Sequence, residues 1–148
     1  YKGEVSGKKP GDLRNMLYAA NFDQSHERIM DYLRTRDMEA TNLYAVHVGE
    51  RAPDPMTEQA RREAVFNRLN DLLGECADWF HTLEPVSLVG NPRREILRAA
   101  RKYRADVIIM GKFSHGGTME KLVGSTAEAV THKARCSVLI VPGTEHPQ

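Results

Sequence analysis

The residues with the clearest chemical potential form a glycine-rich segment, Gly111-Lys112-Phe113-Ser114-His115-Gly116-Gly117-Thr118, which runs on to Gly124-Ser125-Thr126. Glycine has no Cβ, so amides in such a segment can approach an anion closely and take bends closed to other residues. Gly124-Ser125-Thr126 reads as a helix start, which brings free N–H groups, the positive end of a helix dipole and two hydroxyls. Together these features describe a phosphate cradle. Spacing alone leaves a glycine-rich surface turn without a ligand equally open.

Two other phosphate motifs fail. Gly111 to Thr118 fits the register Gly-x-x-x-x-Gly-Lys-Ser/Thr, except that Gly117 stands where the lysine must be. Without that lysine the β- and γ-phosphates lose their main cationic partner, which argues against a P-loop ATPase. The dinucleotide fingerprint Gly-x-Gly-x-x-Gly after a first strand is absent, because Asn21-Phe22-Asp23 occupies that turn. Nicotinamide chemistry is disfavoured accordingly.

Other groupings carry less. The six histidines, His26, His47, His81, His115, His132 and His146, have no paired metal-ligand spacing, so no metal site is expected. His115 lies in the cradle and reads as a solvated loop residue, with a phosphate contact as the alternative. His47 reads as a satisfied structural histidine. Ser125 and Thr126 are explained by helix capping, and no nucleophile–base pair can be argued, so no catalytic residue is assigned. Cys76 and Cys136 read as reduced, buried thiols. Arg93, Arg94, Arg98, Arg101, Lys102 and Arg104 crowd one segment beside Glu95. With no aromatic interleaving they read as a solvated helix face.

These residues need a scaffold, and the chain of 148 residues can supply one by hiding about 68–70% of its unfolded surface. Hydrophobic residues make up 41% and charged residues 28%, which excludes a wholly disordered chain. Lys+Arg 21 against Asp+Glu 20 leaves +1, too little for a global field that recruits nucleic acid or an anionic membrane. No apolar run approaches the ~20 residues that span a bilayer, so no membrane insertion is expected.

Residues 1–14 read as a flexible polar lead-in and residues 15–148 as one domain. The lead-in has no apolar signal core. It does not begin with Met, so the chain is expected to be processed, trimmed or cut from a longer protein. Strands are expected at 16–20, 43–48, 86–89, 106–110 and 137–141, with helices after 25, over 57–82, over 93–104 and over 125–134. Val65, Leu69, Leu72, Cys76, Trp79 and Leu83 step by three and four and predict one long core-facing stripe. The near-continuous apolar strands suit a sheet covered on both faces. The alternation predicts an open, mostly parallel, five-stranded Rossmann-like α/β sheet with helices on both faces. Ligands in such sheets sit at the carboxyl ends of strands, where the winding reverses.

Over residues 15–142 the sequence resembles the universal stress protein family. The residues that carry the likeness are Val89-Gly90-Asn91-Pro92, Ala105-Asp106-Val107-Ile108-Ile109-Met110-Gly111, Gly124-Ser125-Thr126-Ala127-Glu128-Ala129-Val130 and Cys136-Ser137-Val138-Leu139-Ile140-Val141-Pro142. The resemblance implies a homodimer paired through strand 137–141. It also implies two branches, one binding ATP or a related adenine nucleotide and one that does not. The nucleotide branch carries Gly-x2-Gly-x9-Gly-Ser/Thr. Gly111, Gly124 and Ser125 match it, and Ser114 replaces the second glycine. A positive φ at Ser114 would cost about 1–2 kcal/mol. That branch also has an Asp at the end of strand one, where this chain has Asn21, with Asp23 two residues on. Asn21 keeps an acceptor and gives up a charge-assisted bond, a loss of about 1 kcal/mol or roughly five- to tenfold in affinity.

The expectation is therefore a cytoplasmic, stress-linked sensor or regulator that binds ATP or a related adenine nucleotide. Ala20, Asn21 and Val48 would meet the adenosine. Amides from Gly111 to His115 and from Gly124 to Thr126, with Met110 closing strand four beside them, would hold the phosphates. Mg²⁺ would arrive with a triphosphate, and any hydrolysis would be slow, because a lysine clamp and a water-activating carboxylate are missing. The alternative is a dimeric interaction module without nucleotide that binds a protein partner; a third reading takes this chain as the regulatory domain of a larger protein, such as a transporter.

Overall fold

The computed structural model describes residues 14–35, 41–112 and 125–142. Five strands, β1 (Asn15–Ala19), β2 (Asn42–Gly49), β3 (Thr82–Val89), β4 (Val107–Lys112) and β5 (Ser137–Pro142), alternate with four helices, α1 (Ser25–Thr35), α2 (Pro55–Glu75), α3 (Pro92–Lys102) and α4 (Ser125–Lys133). The sheet order is β3-β2-β1-β4-β5 and every pairing is parallel, so the expected open α/β sheet is present. The chain winds outward from β1 to β3, then crosses to β4 and winds the other way. That reversal leaves a crevice between the carboxyl ends of β1 and β4, where Ala19 pairs with Met110.

Strand alternation divides the core into two layers. Met16 and Tyr18 of β1 pack with Ile29, Leu33, Leu69, Leu72 and Cys76 under α1 and α2. Leu17 packs with Val46, Ile96, Ala99, Ala127 and Val130 under α3 and α4. Two helix starts are fixed by their own sequence. The Asp54 carboxylate accepts from the Thr57 amide at 2.8 Å ahead of Pro55. The Asn91 side chain accepts from the Arg94 amide at 3.1 Å ahead of Pro92. The six cations of the α3 segment are exposed, and Glu95 pairs with Arg98 at 3.2 Å. At the amino end Arg14 is already tied in. Its amide donates to Asp106 at 3.0 Å and its carbonyl accepts from Asn42 at 2.7 Å.

The long helix departs from the sequence expectation at both ends. It starts at Pro55 and stops at Glu75, and the stretch expected to end at residue 82 instead enters β3 at Thr82. Pro85, which lacks a donor, is accommodated because β3 is an edge strand. The stripe is fully buried only from Leu69 onward, with Val65 packed against the edge of the core. Val65 is half-buried and Phe66 is 44% exposed. The amino-terminal half of α2 carries the helical period past the edge of the layer it would bury against. Cys76 is buried as expected, whereas Cys136 is only half-buried, and the two do not form a disulfide.

Candidate functional site

The crevice between β1 and β4 opens into a hollow of about 240 Å³. Of the ten residues assigned to the site from sequence, Ala20, Asn21, Val48, Met110, Gly111, Ser125 and Thr126 all line it. The other three, Ser114, His115 and Gly124, lie outside the described residues. Among the described residues no side chain plugs the hollow. One wall is apolar, from Val46 and Val48 of β2, Ile96 of α3, Met110 of β4 and Ala127 of α4. Polar lining comes from Asn21, Asp23, Ser125 and Thr126.

Local chemistry explains how each element reaches the hollow. The Ala20 amide donates to the Val46 carbonyl at 2.8 Å, which pins the end of β1 to β2. The Ala20 carbonyl faces Nδ1 of His47 at 2.8 Å. A carbonyl only accepts, so Nδ1 carries the proton and His47 is the structural histidine expected. Ala20 therefore contributes wall surface, with both of its backbone groups engaged. Gly111 is required by crowding. A Cβ there would stand 1.8 Å from Oγ and 2.4 Å from Cβ of Ser25. Ser25 is 3% exposed, and its hydroxyl and amide both donate to Oδ1 of Asp23, at 2.5 and 2.9 Å. The first turn of α1 thus sits directly on the glycine at the end of β4.

Sequence reasoning had not placed Asp23, Pro92 or Ile96 at the hollow. Pro92 and Ile96 follow from the Gly90-Asn91-Pro92 helix start, which brings the first turns of α3 to the carboxyl edge. Asp23 follows from its cap on Ser25. It lines the same hollow as Asn21, two residues further along the chain. No arginine or lysine among the described residues lines the hollow. The first turn of α4, whose amides have no carbonyl four residues back within the helix, lies at the hollow through Ser125, Thr126 and Ala127. Groups of three or more His, Cys, Asp or Glu able to hold a metal are absent among the described residues.

Below the site, burial dominates the ionisable groups. The Tyr18 hydroxyl is held far above its ordinary range, first by burial and then by the charge of Asp23, and it meets Nδ1 of His26 at 3.0 Å. Burial, with the charge of Glu75, pushes the Cys76 thiol up to about 12. Neither group can ionise near neutrality, so neither is a nucleophile or base for the hollow.

Comparison with known proteins agrees with this geometry. Residues 13–142 match the profile of the universal stress protein family. The chain is 35% identical over 88 residues to the universal stress protein MJ0577 of Methanocaldococcus jannaschii, a match spanning 58% of this chain and 50% of that protein. It is 27% identical over 140 residues to universal stress protein A homolog 1 of Coxiella burnetii, spanning 86% and 95%. The chain thus spans about half the length of some curated relatives and nearly all of others. Among solved structures, MJ0577 superposes with a TM-score of 0.77 at 23% identity, covering 90% of this chain and 99% of that one. A universal stress protein in complex with cAMP gives 0.62 at 19%, covering 89% and 98%. A universal stress protein family member from Arabidopsis thaliana with AMP bound gives 0.58 at 14%, covering 88% and 92%. The match across residues 13–142, together with the same fold, places this chain in the universal stress protein family.

Proposed function

We propose that the chain binds an adenine nucleotide in the hollow between β1 and β4 and acts as a stress-linked sensor or regulator in the cytoplasm. The observation that carries the reading is the convergence, at the reversal point of the sheet, of every described residue that the sequence assigns to the site. The residues fit the ligand's two halves. The apolar wall of Val46, Val48, Ile96, Met110 and Ala127 suits a purine. Asn21 and Asp23 offer hydrogen bonds to a ribose, and the α4 first turn offers amides and the Ser125 and Thr126 hydroxyls to phosphates. The relatives solved with cAMP and with AMP support the same ligand class. Mg²⁺ would accompany a triphosphate. Turnover would be slow at most, since Asp23 is engaged in capping and no cation lines the described part of the hollow.

The absence of a lining cation among the described residues, with Asn21 for the family's aspartate, favours a second reading: a dimeric module that binds a protein partner without nucleotide. In either case β5, a terminal strand of the sheet among the described residues, would supply the edge for a homodimer through 137–141. Calorimetric titration with ATP, ADP, AMP and cyclic AMP separates the two. Saturable binding of one of them, lost in Gly124→Asp, supports the nucleotide reading. Flat titrations at millimolar nucleotide overturn it in favour of the interaction module.

A further inference from the structure

Phe22 has a backbone conformation that a bulky side chain rarely takes. Its φ is +57°, in the left-handed region, where Cβ crowds the following carbonyl. Arg104, the other described non-glycine residue with positive φ, lies at the far end of α3. Phe22 stands between Asn21 and Asp23, both of which line the β1–β4 hollow, yet its own ring lies elsewhere. Asn21 lines the β1–β4 hollow, while Phe22 faces a neighbouring hollow of about 480 Å³ shared with His26, Arg68, Leu72 and Glu75.

The ring is held on two sides by different elements. The His47 ring of β2 lies 5.0 Å from it, tilted by 39°. The Arg68 guanidinium of α2 stands over it at 4.0 Å, within cation–π range. His47 is itself fixed, through Nδ1, to the carbonyl of Ala20, two residues before Phe22. The loop after β1 is therefore anchored at Ala20 and at Phe22, and Asn21 lies between the anchors.

From this we infer that Phe22 is a positioning residue for the nucleotide site. The clamp of His47 and Arg68 holds Phe22 in the left-handed conformation, and that conformation directs Asn21 into the hollow and places Asp23 to cap α1. The inference rests on the nucleotide reading above. Phe22 acts without lining the hollow, so its influence on binding passes through the turn.

The test compares alanine with glycine at this position, using calorimetric titration of AMP and of Mg²⁺-ATP. Phe22→Ala keeps the left-handed penalty and loses the clamp, so the turn relaxes and affinity falls about five- to thirtyfold. Phe22→Gly also loses the ring but takes positive φ freely, so it binds several-fold more tightly than Phe22→Ala. A ring that mattered only as packing would make glycine no better than alanine. Arg68→Gln, on the exposed face of α2, weakens binding several-fold, Arg68→Lys restores it, and Arg68→Gln has no further effect in the Phe22→Gly background. Equal affinities for Phe22→Ala and Phe22→Gly, or an Arg68→Gln variant that binds like wild type, overturn the inference while leaving the nucleotide reading intact. A wild-type chain that binds neither probe overturns both.

Discussion

Replacing Gly111 by alanine tests how closely the β1–β4 crevice is built on packing. The added methyl carbon would stand 1.8 Å from the Ser25 hydroxyl oxygen and 2.4 Å from Ser25 Cβ. Moving the hydroxyl to another rotamer would relieve the first contact and leave the second, which belongs to a carbon fixed by the helix backbone. Ser25 cannot swing outward, because it is 3% exposed and held to Asp23 by two hydrogen bonds. The first turn of α1 must therefore shift by an ångström or so to reach ordinary contact. Forced overpacking of this kind costs about 1–3 kcal/mol. Breaking the Ser25–Asp23 bonds adds about 0.5–1.5 kcal/mol for each bond lost.

Urea unfolding of Gly111→Ala is accordingly expected to show a loss of about 2–4 kcal/mol at unchanged m. Second-site variants locate the cause. Ser25→Ala removes the hydroxyl and leaves the 2.4 Å Cβ contact, so Gly111→Ala/Ser25→Ala recovers only part of the loss. Ser25→Gly removes both atoms, so Gly111→Ala/Ser25→Gly is more stable than Gly111→Ala despite the roughly 0.5–1 kcal/mol cost of glycine in a helix. A Gly111→Ala protein within about 0.5 kcal/mol of wild type, the range of ordinary surface substitutions, would refute the packing argument. Additive effects of the two sites would refute it as well, since residues in contact must couple.

Three further outcomes follow from burial and capping. Phe66→Ser should leave stability within about 0.5 kcal/mol, whereas Leu69→Ala, one turn further along α2 and fully buried, should cost about 2–5 kcal/mol in urea unfolding; equal losses would mean that the amino-terminal half of α2 packs after all. Cys76, with its folded pKa of about 12, holds its proton above the ~8.5 of an unfolded thiol, so its stabilising contribution is complete below about pH 8.5 and falls as pH rises toward 12. Urea midpoints measured across that window should decline less steeply in Cys76→Ala, and a thiol reagent at pH 8 should modify Cys136 well before Cys76. Asp54 has its pKa lowered by the Thr57 amide and hydroxyl, so its cap stabilises above the ordinary carboxylate pKa and is lost as pH falls through the lowered value. Asp54→Asn keeps an acceptor and should remove that acid-side dependence, which thermal unfolding between pH 2 and pH 6 would detect.

What the sequence revealed and what it hid divide along a physical line. The order of elements and the site floor were legible because they rest on local signals. These are apolar runs such as Val107-Ile108-Ile109-Met110, glycine where two elements touch, and Asn91-Pro92 where a helix starts. The end of α2 was not legible, because Trp79 and Leu83 extend the helical spacing although the chain has already turned at Cys76. Periodicity records which residues are apolar and is silent on whether a layer exists to cover them. The same silence explains Phe66, whose spacing matches a core position that the edge of the sheet does not supply. Asp23 was missed for a different reason. Its role depends on a left-handed turn at Phe22, a conformation no propensity assigns to phenylalanine, stabilised by Arg68 and His47 from elements far away in sequence. The substitution of Asn21 for an aspartate therefore cannot be weighed at its own position alone. The carboxylate that position lacks stands two residues on, at the edge of the same hollow, and it stands there only while the turn between them holds.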